Sequence, residues 1–439
     1  MDLPAISESS LKAQGRAAYR QGFEEGFRQG VRAGGQHYGI LFEGTSIVIP
    51  THNQLAHLKK CLESVEKHTE SAYEILVVDN ASADGTAEYL KSLRGRIRFC
   101  VLEENRGFSG AVNIGLMMAK GRTIVLLKPD TWVTGNWLQN LLVCLNSDAR
   151  IGMVGPLSDT VGGAQRIRIS NLKAEEKEAF AREHNRSRPT QWRDSDSLQS
   201  FCLLFRRELF EEIGYFDEGF ESGKLHDLDY SIRVRLAGKR LVIARDTFVR
   251  HAGSENRAES ENALTGQDPQ DQSCFTTKWS DAIGWLQRAA IQAQEEREGL
   301  PAGTLFYPQR VVVQGVGDSV YWIEGGHRHL VRGSLSFPSV RLSQVDLRRW
   351  PVGDTIHARE VEVRWRGLDD PDGWGGVAQL SDGTVYYLEG STVRRVVSTP
   401  AMHSWNLHLK PVQFVHKADL ADRIAGLPIV SLPLLKQRL

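Results

Sequence analysis

Glu74-Ile75-Leu76-Val77-Val78-Asp79-Asn80-Ala81-Ser82-Ala83-Asp84-Gly85-Thr86 decides the fold. An unbroken aliphatic run stops at an acidic residue and opens into a polar, glycine-bearing turn. The run does not alternate, so it reads as a strand buried on both faces. The same form recurs upstream in Ser46-Ile47-Val48-Ile49-Pro50-Thr51-His52-Asn53 and downstream in Thr123-Ile124-Val125-Leu126-Leu127-Lys128-Pro129-Asp130-Thr131. Ile97 to Leu102 adds another strand. Between the strands, apolar residues fall at helical spacing: Leu55, Leu58, Leu62 and Val65, then Ala87, Leu90 and Leu93, then Ala111, Ile114 and Met118. Strands alternating with amphipathic helices predict an α/β domain with a mostly parallel sheet and helices on both faces.

Ligands of such sheets bind beyond the carboxyl ends of the strands. All four strand ends here carry small, polar or acidic residues: Thr51-His52-Asn53, Asp79-Asn80, Glu104-Asn105-Arg106-Gly107-Phe108-Ser109-Gly110 with Asn113 one turn on, and Lys128-Pro129-Asp130. One acidic residue after a strand is an ordinary helix cap. Four such ends together point to a polar cleft.

Five ordered stretches resemble the inverting family 2 glycosyltransferases of GT-A (Rossmann-like) fold. They are Ile47–Asn53, Val77–Thr86, Asn105–Gly115, Leu126–Thr131, and His226-Asp227-Leu228-Asp229-Tyr230-Ser231-Ile232-Arg233 with Ala237-Gly238 and His251. The Asn-x-Gly-Phe-x-Gly-x-x-Asn form is most similar to the rhamnosyltransferase-type branch. The resemblance implies single-sugar transfer from a UDP-, dTDP- or GDP-sugar to a glycan, lipid-linked or protein acceptor. It places Asp79 at the nucleotide base, with Pro50, Thr51, Asn53 and Asn80 around base and ribose. Gly107 and Gly110 would let backbone approach the ligand, and Asn113 would face the sugar or diphosphate. Asp130 and His251 would hold Mn²⁺ or Mg²⁺, Lys128 would pair with a phosphate, and Asp227 would be the general base. Asp84 is either a ligand contact or a turn residue. Asp229 reads as structural or a secondary contact, and Arg233 as solvated or ion-paired. The chain departs from the family at Lys128-Pro129 and at His226, where acidic or amide residues are usual. Those departures keep a second reading open, a degenerate scaffold that binds a glycan or partner without turnover. The processive synthases' Gln-x-x-Arg-Trp motif is not matched by Gln272 to Trp279.

Lys+Arg and Asp+Glu are both 54, giving no net charge and arguing against a general nucleic-acid binder. Five scattered cysteines without a CxxC pair suggest reduced thiols and a cytoplasmic setting. No apolar run reaches the roughly 18 residues of a membrane helix, so membrane association would be peripheral, at the inner face. The glycosyltransferase-like segment is expected over 41–260, of bacterial type. Residues 1–40, with Tyr19, Phe23, Phe27 and Val31 beside a glycine series, predict a helical extension. The polar stretch 160–198 predicts a functional loop or lid. Residues 261–304 predict a linker with a surface helix near Ser280–Arg297. Over 305–439, Val320-Tyr321-Trp322-Ile323-Glu324-Gly325 is echoed by Val385-Tyr386-Tyr387-Leu388-Glu389-Gly390, a two-fold repeat in a small β-rich module. Its aromatic residues are core or sugar-stacking. A homodimer could form through the N-terminal helix or this module.

Overall fold

The computed structural model describes Gly22, Glu25 and residues 40–436 apart from Arg94 and residues 170–171, 221–224, 253–268, 280–306 and 367–373. The N-terminal helix and the surface helix at 280–297 therefore lie outside the described residues, save for Gly22 and Glu25.

The strands of the first half are β1 (Phe42–Thr51), β2 (Tyr73–Asp79), β3 (Arg98–Val101), β4 (Gly121–Leu127), β5 (Thr131–Trp132), β6 (Ile151–Leu157), β7 (Arg193–Ser195), β8 (Cys202–Arg206), β9 (Arg240–Phe248) and β10 (Arg250–His251). Eight of them form one sheet in the order β3-β2-β1-β4-β8-β6-β9-β7, and β5 pairs with β10 in a separate ladder. β2 lies parallel to β1 with Asp79 opposite Thr51, and parallel to β3. β8 runs against both β4 and β6, β6 runs with β9, and β7 runs against β9. The sheet is thus mixed, with two opposing strands, β8 and β7, in a mainly parallel set.

Helices α1 (Leu55–His68), α2 (Thr86–Ser92), α3 (Gly107–Met118), α4 (Trp137–Asn146), α5 (Ala174–His184), α6 (Arg207–Ile213) and α7 (Leu225–Leu236) cover both faces. Strand residues divide by parity. Ile47, Ile49, Val77, Val125 and Leu127 pack with Leu58, Leu62 and Leu141 on one side. Val48, Leu76, Ile124 and Leu126 pack with Leu116, Phe210 and Tyr230 on the other. α3 sits so close to β1 that a Cβ on Gly115 would lie 2.2 Å from Val48 Cγ1.

The 160–198 stretch is not a bare loop. It contains α5 and the edge strand β7. Phe180 of α5 packs edge-on against Phe248 at 5.5 Å, and Asn185 bonds both the N–H and the carbonyl of Phe248. These contacts come from distant residues, so local periodicity could not reveal them.

Helix α8 (Pro269–Trp279) comes next along the chain. Its Lys278 lies 2.6 Å from both Asp217 and Asp229, and Trp279 Nε1 donates to Asp229. Asp229 also takes Arg233 at 3.0 Å, so its role is structural. Beyond it, β11 (Val311–Gln314), β12 (Val320–Glu324), β13 (His327–Arg332), β14 (Val340–Arg341) and β15 (Ile356–His357) form one sheet, and β16 (Val377–Gln379), β17 (Val385–Glu389), β18 (Thr392–Arg395), β19 (Val412–Phe414) and β20 (Ile424–Ala425) form another. Their orders, β14-β11-β12-β13-β15 and β19-β16-β17-β18-β20, are the same topology twice. Trp322, Tyr387 and Trp350 are fully buried between and behind these sheets, so those aromatics are core. Lys410 is buried at the junction of the repeats, with Nζ donating to the carbonyls of Arg310, Trp365 and Gly375. Among the described residues no helix is long and apolar enough to cross a membrane.

Candidate active site

Parallel strands end on the same side, and that places Thr51, Asp79 and the residues after Leu127 along one rim. Pro50 is buried within β1 opposite Val78. Asp79 is fully buried; one carboxylate oxygen accepts Ser82 N–H, and the other has no partner. Thr51 Oγ1, beside it, is likewise unpartnered. Asn53, at φ 51°, is exposed and holds its loop to the next one, accepting from Ala83 N–H and donating its own N–H to Ser82 Oγ. Asp84 accepts from the N–H groups of Leu55 and Thr86, which makes it a turn residue.

Two expectations change. Asn80 spends its amide inside the protein, donating to Asn105 Oδ1 and the Gly107 carbonyl and accepting from Arg106 N–H. It shapes the glycine loop from behind. Asn113 was expected to face the sugar or diphosphate. It is fully buried, donating to the Phe216 carbonyl and Glu218 and accepting Phe216 N–H. It ties α3 to the segment ahead of α7. Gly107 keeps a left-handed φ of 70° with open space where a Cβ would be. Gly110 differs: a Cβ there would meet Arg106 Cβ at 2.8 Å, so packing within the loop requires that glycine.

The β5–β10 ladder sets His251 opposite Thr131, next to Asp130, and Ala252 N–H bonds the Asp130 carbonyl. His251 Nε2 lies 3.3 Å from Asp130 Oδ2 without hydrogen-bond geometry, and Asp130 Oδ1 is buried and unpartnered. His251 Nδ1 is engaged by Thr160 Oγ1 at 2.9 Å, which fixes the ring with Nε2 toward Asp130. Burial alone would raise the Asp130 carboxyl, but His251 and then Lys128 hold it below its ordinary value. No group of three or more His, Cys, Asp or Glu able to hold a metal occurs among the described residues. Two unpartnered ligands do fit a divalent ion that takes its remaining oxygens from a diphosphate and water.

Asp227 opens α7, where the helix dipole favours a carboxylate. One oxygen accepts Ser200 N–H at 3.0 Å, and the other lies 3.2 Å from His226 Nε2. Burial would raise this carboxyl, but His226, Lys128 and the Ser200 bond bring it below its ordinary value. Lys128 thus acts on both Asp130 and Asp227. Its Nζ stands 5.3 Å over the Phe108 ring, and its N–H bonds the Phe201 carbonyl.

Asn53, His57, Asp130, Trp132, Asp159, Lys177, Arg250 and His251 line a cleft of about 820 Å³. A separate, mainly apolar groove of about 740 Å³ lies away from these groups, between α8 and the repeat module. Four of the residues that line this cleft, His57, Asp130, Trp132 and His251, carry buried side-chain polar atoms without a partner, and so do Thr51, Asp79 and Asp227. In a folded protein such atoms are rare unless something outside the chain satisfies them.

Residues 46–214 match the family model described as glycosyl transferase family 2. The chain carries a family 2 glycosyltransferase domain. It is 27% identical to the glycosyltransferase AglE of Haloferax volcanii over 47% of this chain and 66% of that protein. It is 28% identical to the inactive polypeptide N-acetylgalactosaminyltransferase-like protein 5 of Macaca fascicularis, over 52% of this chain and 56% of that one. It is 26% identical to N-acetylglucosaminyl-diphospho-decaprenol L-rhamnosyltransferase of Mycobacterium tuberculosis, over 51% of this chain and 78% of that one. The chain thus spans less than two thirds of the first two of these relatives.

Sequence reasoning missed several residues of the glycosyltransferase domain's cleft. Thr160 and Ser200, which hold His251 and Asp227, sit in irregular segments with no motif. Lys177 reaches Asp159 from α5, and the only signal was that the 160–198 stretch is long and charged.

Proposed function

We propose that this chain transfers a single sugar from a nucleotide diphosphate-sugar to a hydroxyl acceptor, with inversion at the anomeric carbon. The observation that carries the reading is the gathering of unpartnered polar atoms on Thr51, Asp79, Asp130, His251 and Asp227 around one rim of the sheet. Asp79 and Thr51 present acceptors and a hydroxyl suited to a base and ribose. Lys128 offers a point charge for phosphate. Asp130 and His251 would hold Mn²⁺ or Mg²⁺, which when bound neutralises charge on the departing diphosphate. The proton-accepting centre is at the start of α7, built on Asp227. The proton of the acceptor hydroxyl leaves to that centre as the new carbon–oxygen bond forms on the face opposite the diphosphate.

Incubation of the purified chain with a panel of UDP-, dTDP- and GDP-sugars, with and without Mn²⁺, tests this by release of nucleoside diphosphate. Turnover of at least one donor that is lost in Asp130→Ala is expected. Nucleotide binding with no turnover of any donor would favour the non-catalytic scaffold.

A further inference from the structure

The run Leu432-Pro433-Leu434-Leu435 is apolar, yet polar contacts hold its backbone. Leu434 N–H donates to Asp217, and the Leu434 carbonyl accepts Glu218 N–H. The side chains part from there. Leu432 packs toward the core of the repeat module and Leu435 toward one face of the sheet, while Leu434 stays 54% exposed. With the 217–220 segment, helix α8 and β14, this run walls the mainly apolar groove of about 740 Å³. Phe220, Val340 and Leu342 are buried in its wall, and Val316 and Leu434 are its exposed large hydrophobic residues. A groove of this volume has the size of a small-molecule site. A protein partner needs a face of roughly 800 Å², and two exposed aliphatic side chains do not make one.

The charges along the groove favour an anion. Its two carboxylates are already matched: Asp217 takes Lys278 at 2.6 Å, and Asp346 takes Arg349 at 2.7 Å. Arg341 is exposed, its Nη1 donates to the Gly315 carbonyl, and no carboxylate pairs with it among the described residues. Lys436 adds a second cation to the lining. Ser431, 8% exposed in the same wall, has a buried Oγ without a partner. Apolar walls beside an unmatched guanidinium complement an apolar chain with a negative head, and the guanidinium fork matches a planar carboxylate. We propose that the groove binds one fatty acid as its free carboxylate, with the alkyl chain along these walls and the head at Arg341. The bound chain touches the 217–220 segment, α8 and the repeat module at once, so occupancy braces them against each other.

The full chain is titrated with laurate, hexanoate, 1-dodecanol and dodecyl phosphate below their micelle thresholds, and separately with phosphatidylglycerol vesicles. Cys274 reports on the groove, because it lines it and is exposed, whereas Cys61, Cys144 and Cys202 are buried. Alkylation of Cys274 by iodoacetamide, read by peptide mass spectrometry, should slow about tenfold at a laurate concentration about ten times its dissociation constant. Native mass spectra should show one laurate per chain. Hexanoate, six methylenes shorter, should bind at least about 100-fold more weakly. Arg341→Gln should weaken laurate about tenfold and leave 1-dodecanol unchanged. Val316→Asp, which sets a negative charge among the apolar walls, should abolish laurate binding. Laurate that leaves the alkylation rate unchanged overturns the proposal, as does tighter binding of 1-dodecanol or dodecyl phosphate than of laurate, or an Arg341→Gln protein with full laurate affinity. Protection that appears only with vesicles assigns the groove to a membrane surface, and protection that grows only with protein concentration assigns it to a second copy; either result also overturns it. Each readout is independent of donor turnover, so the proposal stands or falls separately from sugar transfer.

Discussion

Asp227 and Lys410 are both buried ionisable residues, and their surroundings drive them in different ways. Asp227 is held below the ordinary carboxylate range once His226, Lys128 and Ser200 outweigh burial. Its folded value is depressed, so the stability it contributes is fully present above the unfolded value and is lost only as pH falls through the lower folded one. Across pH 5 to 8 it stays ionised. Replacing it by Asn should cut donor hydrolysis by about 10²-fold or more while nucleotide-induced thermal shifts persist; a parallel loss of both would show a folding role only. Lys410 is brought down to about 7 by burial and then by Arg310, against three carbonyl acceptors. Here the unfolded chain binds more protons between pH 7 and the ordinary lysine value, so stability rises with pH across that window by at most about 1.4 kcal/mol per unit. Urea unfolding at pH 7, 8 and 9 should show that slope in the parent and a shallower one in Lys410→Met. Residue types single out Asp79, Asp130 and Asp227, and each of these carboxylates has a buried oxygen without a partner. Residue types misled at Asn80 and Asn113, because an amide suits a buried loop anchor as well as a ligand, and only the fold decides which neighbours it meets.

At the scale of elements, unbroken aliphatic runs make β1, β2 and β4 plain from sequence, since a strand covered on both faces needs no alternation. The β5–β10 ladder is not plain. Each of its strands has two residues, too short for a period, yet it places His251 beside Asp130. α5 is hidden for another reason: its apolar face is narrow, and its anchoring contacts come from Phe248 and the 134–136 turn. The ladder also explains Thr160, which bonds both Nδ1 and the carbonyl of His251. Thr160→Val should leave the fold intact and weaken Mn²⁺ binding in the presence of UDP by about 10-fold to 100-fold, as loss of a ligand's orienting partner generally does. Calorimetric titration measures it, and unchanged affinity would show that the ladder alone orients the ring.

For the whole molecule, one cation ties helix α8 to the glycosyltransferase domain. Lys278 of α8 serves Asp217 and Asp229, both almost fully buried. Lys278→Met would leave two enclosed carboxylates short of charge, and a loss of about 3–5 kcal/mol in urea unfolding is expected; a loss under ~1 kcal/mol would mean that Arg233 and water compensate. The repeat of the second half was legible from Val320–Gly325 and its echo at Val385–Gly390. The attachment of α8 was not, because Lys278 and Asp217 stand 61 residues apart in sequence.

The segment ahead of Asp227 has a partner that is synthesised much later. Leu434 N–H bonds Asp217 and Lys436 N–H bonds Glu218, across separations of 217 and 218 residues. Glu218 also holds Asn113 beneath the glycine loop. At ordinary translation speeds the ribosome needs roughly 10–40 s to traverse that interval. During that time the first half can build its sheet but lacks one support of the rim at the strand ends, so that rim is completed on a clock set by protein synthesis.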